Sequence, residues 1–181
     1  FVGEKDAYSI TKKALIVTAN PNTIIYGDAP ANADVSFDGF VNDETRDDLG
    51  GELAFTYTYE QFGHVSDEAH NYIITPSGYT SGNYEITFVT GVLTVSPKEI
   101  TVTVVPKTSV YGDKQVALEA TTEDGAIVNG DEGVYRLVCV ANQLSDVGSY
   151  DIVGSDLSDN YAITFVGEKD AYSITKKALI V

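Results

Sequence analysis

The sequence predicts a mainly β chain of two small modules in tandem, and three observations carry that prediction. The first is composition: the 181 residues include 12 Tyr and many Val, Ile and Thr, with no Met or Trp and few helix-forming runs. Such residues suit pleated, half-buried strands. The second is alternation, clearest in Leu53-Ala54-Phe55-Thr56-Tyr57-Thr58-Tyr59, where large apolar residues fall on one face and small or polar ones on the other. The third is repetition. Phe1 to Val17 returns letter for letter as Phe165 to Val181, so the chain reads as one full repeat plus the start of the next, a slice of a longer repetitive protein.

In chain order, residues 1–12 read as the tail of a preceding repeat. Lys13 opens a module with the strand-like Ala14-Leu15-Ile16-Val17-Thr18-Ala19, which stops at the turn signal Asn20-Pro21-Asn22. Ile24-Ile25-Tyr26-Gly27-Asp28 follows, with Gly27 supplying a backbone angle denied to other residues. Val35-Ser36-Phe37 alternates as a strand. The stretch Asn42 to Gly50 carries a short helix signature, with Asp43 as N-cap and Gly50 as stop. Beyond Leu53–Tyr59, Asn71–Ile74 is a further strand, and Asn83–Val89 and Val92–Val95 flank Thr90-Gly91 as a hairpin.

The second half repeats this order in divergent letters. Lys98-Glu99-Ile100-Thr101-Val102 matches Lys13-Ala14-Leu15-Ile16-Val17, Tyr111-Gly112-Asp113 matches Tyr26-Gly27-Asp28, and Asn160-Tyr161-Ala162-Ile163-Thr164 matches Asn83-Tyr84-Glu85-Ile86-Thr87. The domains are therefore 13–97 and 98–176, with 177–181 beginning the next repeat. Each is sandwich-like or β-grasp-like with at most a short helix. Junctions as short as Ser96-Pro97-Lys98 leave no flexible linker, which predicts modules end to end in an elongated rod.

Charge narrows the partners. Eleven basic against 27 acidic residues give a net charge of -16, which repels nucleic acid and anionic lipid and keeps neighbouring molecules apart as monomers. No apolar run is long enough to insert in a membrane. One cysteine, Cys139, excludes an intrachain disulfide; it lies in the apolar run Leu137-Val138-Cys139-Val140 as a small hydrophobe, far in sequence from His64 and His70.

Asp38, Asp43 and Asp47 are candidate oxygen ligands for calcium, although their spacing matches no EF-hand loop. Asp43, Glu44, Asp47 and Asp48 read better as a solvated acidic cap than as a catalytic acid pair. His64 and His70, with Asp67 and Glu68 between them, are a weak zinc signal. Tyr26 and Tyr111 read as core-packing rings beside a turn glycine. No catalytic residue and no cofactor is expected, with calcium the one ion in view, so the chain reads as non-enzymatic.

The ordered set of an initial strand, Tyr-Gly-Asp (Tyr26, Gly27, Asp28; Tyr111, Gly112, Asp113), a middle Asn-Asp or Asn-Gly-Asp, and a late Asn-Tyr (Asn83, Tyr84; Asn160, Tyr161) resembles the MBG-type repeat domains of bacterial surface adhesins. The resemblance covers both modules. The first departs from it where His70-Asn71-Tyr72-Ile73 stands for Gly-x-Tyr-x-Ile. It implies an extracellular protein of the bacterial cell surface, often anchored to the cell wall, whose tandem modules form a stalk that projects a distal binding domain, with neighbouring repeats as partners. The alternative it implies is cell adhesion by the modules themselves, as weak multivalent glycan or mucin binders.

Overall fold

The computed structural model describes residues 8–30 and 33–180, and these are strand and turn apart from a single 3₁₀ turn. Residues 1–7, most of the tail of the preceding repeat, lie outside the described residues. The described chain forms two compact units. One comprises the residues up to Ile24 together with Asp28–Val95, and the other Ile25–Gly27 together with the residues from Ser96 onward.

In the first unit the alternation of Lys13–Ala19 forms β1, which buries Leu15, Val17 and Ala19 on one face. After Pro21, β2 (Asn22–Ile25) leaves this sheet for another. β3 (Val35–Asp38) returns antiparallel to β1, and β4 (Ala54–Tyr57), β5 (Tyr72–Ser77), β6 (Tyr84–Val89) and β7 (Gly91–Ser96) follow. The sheets run β3-β1-β6 and β2-β7-β5-β4. β1 and β6 pair in parallel from Lys13↔Tyr84 to Thr18↔Val89. Leu15, Val17, Val35 and Tyr84 form a buried cluster, flanked by Phe37, Phe40, Phe55, Ile86 and Phe88.

The second unit repeats the plan. β8 (Lys98–Val105) runs to Pro106, β9 (Lys107–Val110) changes sheet, and β10 (Glu119–Thr122) returns antiparallel to β8. β11 (Tyr135–Val138), β12 (Gly148–Tyr150), β13 (Val153–Asp156), β14 (Tyr161–Val166) and β15 (Tyr172–Thr175) complete it, with sheets β10-β8-β14, β11-β13 and β12-β15-β9. β14 lies parallel to β8 from Tyr161↔Lys98 to Val166↔Thr103. Where the first unit has one strand β5 serving both β7 and β4, the second has β12 on β15 and β13 on β11, with fully buried Ile152 in the gap between them. Cys139 packs half-buried against this core beside Leu137.

Two expectations are corrected. Val89 to Val92 is not a hairpin: β6 pairs with β1 and β7 with β5, so the chain crosses from one sheet to the other through Thr90. The ladder partner, not the short connection, decides the path. The helical stretch is as short as expected, a single 3₁₀ turn, but its cap is not Asp43. Its N-cap is Thr45, whose side chain accepts from the Asp47 N–H while the Asp48 carboxylate reaches back to the Thr45 N–H, and it closes after Arg46–Asp48. Asp43 instead has φ +59, inside a turn that precedes the cap.

Three of the five prolines fall where strands change partners. Pro21, Pro97 and Pro106 each stand between two strands, positions where no ladder N–H is required. Glycine has a different use at Gly154 on β13. A Cβ there would lie 2.1 Å from the Phe165 Cδ1 of β14, so the bare backbone is what lets that ring lie across it. Gly154→Ala is expected to lower unfolding stability by about 1–3 kcal/mol, the usual cost of overpacking. Urea unfolding followed by tyrosine fluorescence measures this, and an unchanged midpoint would mean that the ring gives way freely.

Candidate functional site

The strongest constellation of polar side chains in the second unit is built on a turn. Asn129 and Gly130 both have positive φ (+58 and +69), and the Asp131 N–H bonds the Val128 carbonyl at 3.0 Å. Two positive φ values in succession are tolerated by Asn and Gly and by few others. The turn holds the Asp131 carboxylate next to the first residue of β14, Tyr161. The Tyr161 hydroxyl donates to Asp131 Oδ2 at 2.7 Å and accepts from the Val128 N–H at 3.1 Å.

Tyr26 completes the arrangement. Its sequence belongs to the first module, yet Ile25–Gly27 folds as part of the second unit. Its N–H bonds the Ser96 carbonyl at 2.8 Å, its ring meets Tyr161 edge-on with centroids 5.4 Å apart, and its hydroxyl donates to the same Asp131 Oδ2 at 2.8 Å. Both tyrosines are buried. Burial, then the hydrogen bond to Asp131 and its negative charge, raise both phenols from 10.0 to about 12; the Asn160 side chain opposes this at Tyr26 and the Val128 amide at Tyr161.

The first unit has the same socket. Asn42 and Asp43 have φ +56 and +59, the Glu44 N–H bonds the Val41 carbonyl at 3.1 Å, and the Tyr84 hydroxyl donates to Glu44 while accepting from the Val41 N–H at 3.1 Å. The hydrogen bond to Glu44, and after it burial, raises the Tyr84 phenol above its ordinary value. Asn83 and Asn160 stand at the same place in both, their carbonyls accepting from the Lys13 and Lys98 N–H groups at 2.9 Å each.

The structure thus gives the motif residues distinct tasks. Gly27 and Gly112 have φ +97 and +87, and a Cβ on Gly112 would meet nothing within 4 Å, so the glycine supplies an angle and not space. Tyr26 packs in a core as read from the sequence, whereas Tyr111 is 45% exposed. The Asp113 N–H bonds the Val110 carbonyl, closing the turn. Glu44 and Asp131 as the acceptors of buried phenols were missed; the available signal was an acid after Asn-Asp and Asn-Gly, recurring in both modules ahead of a late Asn-Tyr.

Asp38 ends β3, Asp43 lies in the positive-φ turn and Asp47 in the 3₁₀ turn; among the described residues they form no group with the spacing of metal ligands. His64, Asp67 and His70 do come together, with ligand atoms within 4.8 Å of one another and the two rings stacked at 4.5 Å. These are the side chains that could hold a metal. Asp67 Oδ1, however, already accepts from the Ala69 N–H, the His70 N–H and His70 Nδ1 at 2.7–2.8 Å, so the trio closes its own loop. The His70 side chain, then the backbone N–H groups, hold the Asp67 carboxyl below its usual range. A broad, mostly polar concavity is lined by Lys98, Thr101, Glu123, Asp124 and Thr164, with no aromatic ring; others do carry one, Phe165 beside Val153 and Glu168 in the second unit and Tyr79 and Tyr84 beside Thr80 in the first.

A pair of small β modules, each with a Tyr-Gly-Asp turn and a tyrosine held by an acidic turn, is a tandem-repeat β protein. A family model for the MBG domain (YGX type) matches residues 15–94 and again 100–169. The chain belongs to that family, with two copies of its domain. No curated protein matches the chain significantly.

Two outcomes follow for the socket. Asp131→Ala leaves two buried hydroxyls without their acceptor and is expected to cost about 1–3 kcal/mol, with Asp131→Asn costing less because an acceptor remains; urea midpoints measure both. For pH, the phenols of Tyr26 and Tyr161 rise from 10.0 unfolded to about 12 folded. Above the unfolded value the unfolded state releases protons that the folded state keeps, so stability is full below about 10 and falls as pH rises towards about 12. Unfolding curves across that window should flatten in Tyr161→Phe.

Proposed function

We propose that this chain is a repeat unit of a bacterial surface adhesin, a non-catalytic, semi-rigid stalk that holds a distal binding domain away from the cell. Membership of the MBG family fits a repeat unit of surface proteins. The observation that carries the stalk reading is the junction: β7 ends at Ser96 and β8 begins at Lys98, leaving Pro97 alone between the last strand of one module and the first of the next. A single proline with its fixed φ leaves little room for a hinge. The acidic composition suits a monomeric, extracellular array whose neighbours repel one another, and the reading needs neither cofactor nor metal. The alternative, weak glycan binding by the modules, would draw on concavities that hold an aromatic ring, such as those with Phe165 or with Tyr79 and Tyr84.

Small-angle scattering on chains of one, two and three repeats, with and without calcium, tests the proposal. The maximum dimension is expected to grow linearly with repeat number and to be indifferent to calcium. Growth nearer the square root would mean hinged modules and would overturn the stalk in favour of multivalent binding.

A further inference from the structure

The socket around Asp131 is filled by Tyr26, whereas the equivalent socket around Glu44 is an open concavity lined by Ile10, Thr11, Val41, Glu44, Asn83 and Tyr84. The tyrosine equivalent to Tyr26 is Tyr111, which is 45% exposed against 3% for Tyr26. We propose that Tyr111 is the plug for the Glu44 socket of the next copy of this repeat along the array. Its ring would lie against that copy's Tyr84, and its hydroxyl would donate to that copy's Glu44. This rests on the stalk reading and names the contact that makes consecutive repeats lock.

The backbone on both sides of the gap already follows the filled case. The Tyr111 N–H bonds the Thr175 carbonyl at 2.9 Å, as the Tyr26 N–H bonds Ser96 at 2.8 Å. From Ser96 the chain passes one residue, Pro97, and starts β8 at Lys98; from Thr175 it passes one residue, Lys176, to Lys177. Thr175-Lys176-Lys177 is the same sequence as Thr11-Lys12-Lys13, and Lys13 is the first residue of β1. The step from the tyrosine's backbone partner to the parallel ladder is therefore identical in length. At the ladder, Lys13 bonds the Asn83 carbonyl as Lys98 bonds that of Asn160, each at 2.9 Å. Lys177 Nζ, which corresponds to the start of the following β1, already lies 3.7 Å from the Asp113 carboxylate of the Tyr-Gly-Asp turn.

The chemistry fits as well: Asp131 accepts from two phenols on one oxygen, and Glu44, one methylene longer, accepts from the Tyr84 phenol alone among the described residues. Joined on one chain by a junction of one residue, plug and socket meet at high effective concentration, so a modest contact suffices.

Tyrosine nitration tests this on a chain of two consecutive repeats. Two versions are made, each keeping Tyr111 in one repeat and carrying Tyr111→Phe in the other, and nitration by tetranitromethane near neutral pH is read by peptide mass spectrometry. Tyr111 of the first repeat is expected to react about tenfold more slowly than Tyr111 of the last, one decade being a docked state favoured by that ratio. Glu44→Ala in the second repeat should restore its reactivity while nitration of Tyr161 stays unchanged, which shows that the units remain folded. Equal rates for the two Tyr111 residues would overturn the docking, and need no Glu44 variant to fold. Scattering reports separately on the stalk: linear growth with equal rates leaves a stiff array locked by something else, and protection without linear growth sinks the stalk alone.

Discussion

Both units depend on one pairing, the parallel ladder between a module's first strand and the strand near its end. β1 with β6 and β8 with β14 are joined residue by residue over the same register. A parallel pair cannot be closed by a tight turn, and everything between its members must serve as the crossover. That requirement explains why β3 or β10 returns on the free side of the first strand while the remaining strands form other sheets. It also places an aromatic hydroxyl. Tyr84 and Tyr161 occupy the first register position, where their hydroxyls reach a turn that offers both a carboxylate and a backbone amide.

The acidic turn is expensive to build, with two successive residues at positive φ. What offsets it is the hydrogen bonding it organises. The Val128 amide, the Asp131 carboxylate and two phenols satisfy one another out of water, and no buried polar group is left facing apolar surface there. The carboxylate keeps its acceptor role only while the phenols keep their protons, which is why alkaline pH acts on this point before it acts on the aliphatic core.

Much of the fold was legible because burial has a period of two. Ala14–Ala19 could be placed as a β-branched run, Val35–Phe37 from alternation and Lys98–Val102 from its match to the first module; the structure starts the first one residue earlier, ends the second one later and carries the third on to Val105. Leu53–Tyr59 was longer in sequence than in the sheet. It pairs only with β5, opposite Pro76, which donates no hydrogen bond, and Tyr59 turns in against Tyr72 with ring centroids 5.0 Å apart. The crossing at Thr90 was illegible, because a short connection between two strands looks the same whether they pair with each other or with distant partners. For the site, Tyr26, Gly27, Asn83 and Tyr84 stood out by recurrence. Their shared acceptors did not, since Glu44 and Asp131 lie far from the tyrosines along the chain and differ in identity.

The parallel ladder also decides how such a module meets tension. Once force reaches the ladder past β15, pulling at Lys98 and Val166, β8 is drawn toward its N-terminus and β14 toward its C-terminus, in opposite senses along one axis. The hydrogen bonds between them are then loaded in shear, all together, instead of being peeled open one by one. A ladder loaded this way resists stretching cooperatively up to a threshold and then yields at once.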